Sequence, residues 1–180
     1  MLIDMSSKSA KILLTGLPGC GKTTTVLQII NGLPNKKLAG FYTQEIRKEN
    51  SRKGFRWKSF DGAEGILAHI DIKSPFKVGK YRVDVAGFEK FVVPVLDFDR
   101  TDADIFIIDE IGKMECISEK FVAAVRTLFE SDKSVLATIA QKGAGFIKEI
   151  KNYSGAKIFF LTQQNRDKII AEILQILSPS

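Results

Sequence analysis

Residues 16–23 read GLPGCGKT, set between the apolar run KILLT (11–15) and the helix-like run TTVLQII (24–30). Three of the chain's 14 glycines, Gly16, Gly19 and Gly21, fall within six consecutive positions here, with Lys22 and Thr23 directly after them. KILLT is a short apolar run of the kind found in a strand buried on both faces. From Thr23 to Asn31 the apolar residues Val26, Leu27, Ile29 and Ile30 recur at helical spacing, and Gly32 and Pro34 supply a stop signal. The stretch therefore carries a strand into a helix through a glycine-rich turn. Gly16-x-x-x-x-Gly21-Lys22-Thr23 is the phosphate-loop pattern in the context that pattern requires.

The chemistry demands these residue types. Glycines let consecutive backbone N–H groups point inward without Cβ clashes, which makes a concave anion nest. The following helix turns its positive end toward the same place. Lys22 can reach the β- and γ-phosphates, and the Thr23 hydroxyl can sit on Mg²⁺. Leu17, Pro18, Cys20 and Thr24 complete the loop. A helix N-terminus lowers a thiol pKa, but Cys20 reads as a small residue at a variable loop position.

Apolar strands alternate with helices along the rest of the chain. LAGFYTQEI (38–46), IFII (105–108), SVLATI (134–139) and KIFFL (157–161) read as strands. Helices are expected at 121–129 with Ser118 as N-cap, at 146–151 and at about 166–177; FEKFVVPVLDF (88–98) is read as a helix with Pro94 near a turn boundary. GFRWKSF, EGILAHI and KYRVDV, punctuated by Gly62, Gly65, Pro75 and Gly79, read as hairpins. The expected architecture is one α/β domain over residues 1–180: a mostly parallel central sheet with helices on both faces and an inserted β-hairpin region at about 47–85.

Bulk properties narrow the partners. A length of 180 residues suffices for one domain with a proper core, and 44% hydrophobic with 27% charged residues is ordinary for a soluble globular chain. Lys+Arg exceed Asp+Glu by 27 to 21, giving +6, which suits an anionic ligand and is compatible with nucleic acid. No dense Lys/Arg block appears, so nucleic acid is not indicated as the main partner. Cys20 and Cys116 make no disulfide framework and fit a reducing compartment. The start, MLIDMSSKSAK, is too short and polar for a signal peptide, and no run approaches the roughly 18 apolar residues of a membrane span. A cytoplasmic monomer is the expectation, with Met5 an alternative start and nothing before Lys11 structured.

A second chemical site stands at the end of IFIIDE (105–110). Ligands of open α/β sheets bind off the C-terminal strand edge, where Asp109 can hold Mg²⁺ opposite Thr23. Glu110 points another way and can accept the proton of a water attacking the γ-phosphate. This carboxylate tilts the choice toward hydrolysis, since a kinase brings its own hydroxyl acceptor. The strand bearing it should run close beside the P-loop strand. Further cations suit a phosphoryl transition state: Arg47 and Arg52 flank a turn of the inserted region that can fold over the nucleotide, with Lys53 and Lys113 as alternatives. Thr138 and Gln141 can orient the γ-phosphate or the water. Asn165 and Arg166 lie where a base-contacting loop would be, though Asn165 as a helix N-cap explains the same residues. His69, the only histidine, reads as a packed strand residue.

GLPGCGKTT, GFYTQEIR followed by RKGF, KYRVDV, IIDEIGKME with Ser118 just after, and the late NRD go beyond a generic phosphate loop. Together they resemble the P-loop nucleoside-triphosphatase family known from thermophiles and, in animals, as the cancer-related nucleoside-triphosphatase. The resemblance spans Lys11 to the last helix, and GFYTQEIR and DEIGKME are its most specific parts. It implies a RecA-like or kinase-like P-loop NTPase fold. It also implies slow, Mg²⁺-dependent hydrolysis of nucleoside triphosphates to diphosphate and phosphate with loose base preference. Gly16–Thr23 would bind the triphosphate. Ile105, Phe106, Ile107, Ile108, Asp109, Glu110, Ile111 and Gly112 would form the second nucleotide-contacting segment, with Asp109 serving the metal and Glu110 the water. Cys116 departs from the aliphatic residue common there, a change expected to affect packing only. Two other readings stay open: a nucleotide or small-molecule kinase, and an NTP-gated module binding RNA or protein.

Overall fold

The computed structural model describes residues 9–178, so Met5 lies outside the described residues. The strands are β1 (Lys11–Gly16), β2 (Leu38–Lys48), β3 (Ser51–Ser59), β4 (Glu64–His69), β5 (Lys77–Val78), β6 (Tyr81–Val83), β7 (Ile105–Ile111), β8 (Ser134–Ile139) and β9 (Ala156–Leu161). The helices are α1 (Lys22–Asn31), α2 (Val85–Val95), α3 (Glu119–Glu130), α4 (Phe146–Lys151) and α5 (Arg166–Leu177).

Among the described residues, all nine strands join one sheet in the order β5-β6-β4-β3-β2-β7-β8-β1-β9. Strands β2, β7, β8, β1 and β9 run parallel. The remainder extend the same sheet antiparallel from β2 outward, which is how the inserted hairpins are accommodated. β2 is the hinge between the two halves, pairing parallel with β7 at its start and antiparallel with β3 further on.

The run of apolar residues in β7 has the physical reason expected of a strand covered on both sides. Ile105 and Ile107 pack with Ile12, Leu14 and Leu136 beneath Val26 and Ile29 of α1 and Ile169 and Ile173 of α5. Phe106 and Ile108 pack on the opposite face with Leu13, Val135 and Ala137 beneath α2, α3 and α4. α2 also reaches the antiparallel half, where Phe91 stacks on Trp57 with ring centroids 3.5 Å apart. Close contact between β2 and β7 depends on Gly40: its φ is +105°, and a Cβ there would lie 1.9 Å from the Ile107 carbonyl oxygen.

Local signals read from the sequence set the helix ends. Ser118 Oγ accepts from the Phe121 N–H at 3.0 Å, capping α3, and donates to Glu89 Oε1 at 2.9 Å. α2 begins earlier than its apolar run, at Asp84, whose carboxylate accepts from the Gly87 N–H at 3.0 Å. Pro94 falls at the end of α2, where a missing N–H breaks little of the ladder.

One expectation about the sheet needs correction. The strand carrying Asp109 does not lie beside the P-loop strand, because β8 runs between them. The two ends still meet at one edge: Leu13 of β1 and Ile108 of β7 are both level with Ala137 of β8.

Candidate active site

The loop from Gly16 to Gly21 delivers α1 to the sheet edge with its N-terminus open. Gly21, at the N-cap, has φ +90° and no capping side chain, and the first turn carries no acid. The leading N–H groups of α1 are therefore available to an external anion. Gly21 is also fixed by space, since a Cβ would lie 2.5 Å from Arg166 Nη2. That guanidinium donates to the Cys20 carbonyl at 2.9 Å, so the first residue of α5 braces the loop, and its Nε is buried without a partner. Lys22 Nζ donates to the Gly16 and Leu17 carbonyls at 3.4 Å each, a loose hold on a flexible cation.

A cavity of about 640 Å³ opens over this loop, within the size range of small-molecule sites. Gly16–Gly19, Gly21, Lys22, Thr23 and Thr24 line one end. Glu110, Thr43, Gln44, Glu45, Arg52, Phe55, Ala140, Gln141 and Lys142 line the rest.

Asp109 lies beneath the cavity, only 1% exposed. Its Oδ2 accepts from Thr23 Oγ1 at 2.7 Å and from the Thr43 N–H at 3.3 Å, and its Oδ1 accepts from Thr138 Oγ1 at 2.5 Å. α1, β2 and β8 thus each contribute a donor to one carboxylate. Burial pushes the Asp109 carboxyl up, opposed by the Thr138 and Thr23 hydroxyls, the Thr43 N–H and the charge of Lys22. Since the carboxylate can only accept, the Thr23 proton is committed to it, and the Thr23 lone pairs remain for a cation. Hard oxygen donors of this kind suit Mg²⁺.

Glu110, half-buried, faces the cavity. Burial raises its carboxyl, Lys22 lowers it and Asp109 raises it. The Asp109–Glu110 peptide is cis, and the β7–β8 register shifts between Ile108 and Ile111. A second acid, Glu115, is 6% exposed just behind. A Cβ on Gly112 would lie 2.9 Å from Glu115 Oε2 and 3.0 Å from Glu110 Oε1, so both carboxyl groups converge on that glycine. Burial and the neighbouring Glu110 hold the Glu115 carboxyl well above its ordinary range.

Several expected contacts are not brought together. Ile105, Phe106, Ile107 and Ile108 are buried in the two core faces, as is Ile111, and do not reach the main cavity; a central strand spends these side chains on packing. Of that segment Asp109 and Glu110 carry the polar groups at the site, while Gly112 lines a smaller adjoining hollow with Lys113. Arg52 lines the main cavity, donating to Tyr81 Oη and Glu45 Oε1 at 2.8 Å each. Arg47, its partner across the hairpin, donates to Glu45 Oε2 at 2.8 Å and the Asn50 carbonyl at 3.3 Å and does not line it. Lys53 does not line it either.

Asn165 and Arg166 also stand outside the main cavity. Asn165 does not cap α5 through its side chain. Its Oδ1 accepts from the Thr162 N–H at 2.8 Å and its Nδ2 donates to the Phe160 carbonyl at 2.9 Å, tying the β9–α5 loop to itself. Cys20 turns toward Gly16 and Leu161, behind the loop. Cys116 is half-buried against the core, and burial pushes its thiol up to about 12. His69 sits in β4, where its Nδ1 accepts from the Asp71 N–H at 3.1 Å.

Thr43 and Glu115 were missed by sequence reasoning. A signal for Thr43 exists only once pairing is known: Phe41 is level with Ile108, which carries Thr43 to the height of the acids. Glu115 sits in a charged run, GKMEC, that looks like solvated surface.

Comparison with known proteins identifies the family. A family model described as NTPase matches residues 11–174. A nucleoside-triphosphatase THEP1 from Thermotoga sp. (strain RQ2) is 44% identical over 167 residues, covering 93% of this chain and 95% of the relative. The human cancer-related nucleoside-triphosphatase is 34% identical over 184 residues, covering 94% and 97%. The crystal structure of THEP1 from Aquifex aeolicus superposes with a TM-score of 0.85 at 38% identity, over 93% of this chain and 99% of that one. The P-loop at one end of the cavity, the acids at the other and these matches over nearly whole chains lead to one conclusion: the chain belongs to the nucleoside-triphosphatase family.

Proposed function

We propose that this protein hydrolyses nucleoside triphosphates to diphosphate and phosphate, with Mg²⁺ and with little selection among bases. The observation that carries the reading is that Lys22, the open N-terminus of α1 and Glu110 line one cavity, with the Asp109–Thr23 pair at its base. The relatives' names, nucleoside-triphosphatase, support the same reaction.

In this mechanism the N–H groups of Gly19 and of Gly21–Thr24 cradle the phosphates, and Lys22 neutralises charge on the β- and γ-oxygens. Thr23 and Asp109 would hold Mg²⁺, which would supply neutralisation of the negative charge on the triphosphate. Glu110 accepts a proton from the attacking water. A carboxyl raised by burial suits that role, because a base works best when its pKa approaches the working pH. Thr43 and Thr138 hold Asp109 in place. Arg52 offers a cation at the rim, and Arg47 acts only through the shared Glu45. Arg166 braces the phosphate loop through the Cys20 carbonyl, and Asn165 closes the β9–α5 loop.

Loose base preference is supported by a hollow beyond the loop's crest. It is lined by Leu17, Phe160 and the neutral amides of Gln163 and Gln164, with no carboxylate to select a donor pattern. No described helix is long and apolar enough to cross a membrane, and the free cysteines suit a reducing compartment such as the cytoplasm. The test is phosphate release from ATP, GTP, CTP and UTP with Mg²⁺ and no added acceptor. Release from all four, with kcat/KM within about tenfold and abolished by chelation, is expected. Absence of release without an acceptor contradicts the reading.

A further inference from the structure

The main cavity does not end at Glu110. A second hollow of about 260 Å³ shares Thr43, Phe55, Glu110 and Ala140 with it and continues away from the phosphate loop. A water molecule occupies about 30 Å³ of liquid, so the space behind the carboxylate far exceeds what hydrolysis requires. It also falls short of the roughly 300 Å³ at which drug-sized sites begin, which limits an occupant to a small molecule.

The walls define its chemistry. Phe55 comes from β3, Val78 from β5 and Met114 from the turn after β7, giving the hollow an apolar side with one adaptable thioether. Its other side carries Glu110 and Glu115, two carboxyl groups that disfavour an anionic guest. Among the described residues the one cation on the wall, Lys113, is exposed. An uncharged molecule with an apolar body and a hydroxyl directed at Glu110 satisfies each of these groups.

We propose that this hollow is an acceptor pocket, in which a small uncharged alcohol takes the place of the attacking water and receives the γ-phosphoryl group. The proposal rests on the part of the proposed function that makes Glu110 the general base toward a nucleophile at the γ-phosphorus, whether that nucleophile is water or an alcohol. The step balances without any further reagent. The alcohol oxygen forms a bond to the γ-phosphorus and its proton passes to Glu110. The bond from the γ-phosphorus to the bridging oxygen breaks, and that electron pair leaves with the nucleoside diphosphate. The products are a phosphate monoester and a diphosphate.

The experiment follows ATP turnover with Mg²⁺ in the presence of methanol, 1-butanol or benzyl alcohol at equal molarity, quantifying monoester and inorganic phosphate by ³¹P NMR. The monoester-to-phosphate ratio should rise about tenfold or more from methanol to benzyl alcohol, as burial of the added apolar surface requires. Val78→Trp, which fills the hollow, should remove the benzyl ester while phosphate release stays within about twofold. Val78→Ala, which enlarges it, should shift preference toward a bulkier alcohol such as 2-naphthylmethanol. Normal phosphate release with ester yields absent, or independent of alcohol size, overturns the acceptor pocket and leaves hydrolysis standing. Ester formation without phosphate release in plain buffer supports the pocket and overturns the hydrolase reading. No product of either kind overturns both.

Discussion

At the β1–α1 end of the cavity the open polar groups are main-chain N–H groups at the uncapped start of α1, set by one turn of eight residues, Gly16–Thr23. At the β7 end they are side chains, and their neighbours are gathered from three other elements. Asp109 is held by Thr23 from α1, Thr43 from β2 and Thr138 from β8. The backbone end puts one charged side chain, Lys22, into the cavity, whereas the side-chain end brings buried Asp109 and Glu115 and half-buried Glu110 close enough to disturb one another. The difference separates two tasks. In the proposed function, main-chain donors hold the triphosphate without committing it to a reaction, while the acids choose the nucleophile.

That division can be broken from either side. The largest effect is expected at Glu110. Replacing it with Gln should lower kcat by about 10²–10⁴, the usual worth of a positioned base, read by steady-state phosphate release. Lys22→Ala should follow, lowering kcat/KM by about 10²–10³ and weakening triphosphate affinity in calorimetric titration. Its unfolding midpoint should barely move, because the ammonium makes only two long hydrogen bonds.

Thr138→Val tests whether Asp109 depends on its distant partners. It leaves Asp109 Oδ1 without its 2.5 Å donor, so a loss of about 1–3 kcal/mol in denaturant unfolding is expected, with a smaller fall in kcat. An unchanged stability would mean that the carboxylate is not held from β8.

The smallest effect concerns Glu115 and is a gain. Its folded pKa lies above the ordinary 4.5, so its contribution to stability is fully present below the unfolded pKa and lost as pH rises through the folded one. Near neutral pH the wild type should therefore melt below Glu115→Gln, by about 2–4 °C for each kcal/mol recovered. The gap should close as pH falls toward 4.5. A gap that stays constant across this range would show that Glu115 does not titrate between the two states.

The same contrast explains what the sequence disclosed. KILLT, GLPGCGKT and the helix after them are contiguous, so spacing alone gives the strand, the loop and the use of both. IFIIDE was legible as a buried strand ending in acids, but the chain gives no sign of which residues of such a strand meet ligand. Ile105–Ile108, expected to contact nucleotide, do not line the cavity, because both faces of a central strand are consumed by the core. Thr43 stayed hidden because its contact with Asp109 spans 66 positions and exists only when β2 pairs with β7. The place of β8 between β1 and β7 was likewise invisible, since strand order is a property of tertiary packing. Asn165 could be read as a cap or a base contact, and its amide instead closes its own loop, a choice made by backbone geometry after β9.

The division between holding and reacting is tested most directly on Glu110→Gln, by measuring its ATP dissociation constant and its single-turnover hydrolysis rate in the same preparation. The account predicts affinity within about threefold of wild type and a rate lower by at least about a hundredfold. Full turnover in that variant, or lost affinity with an unchanged rate on bound nucleotide, would contradict it.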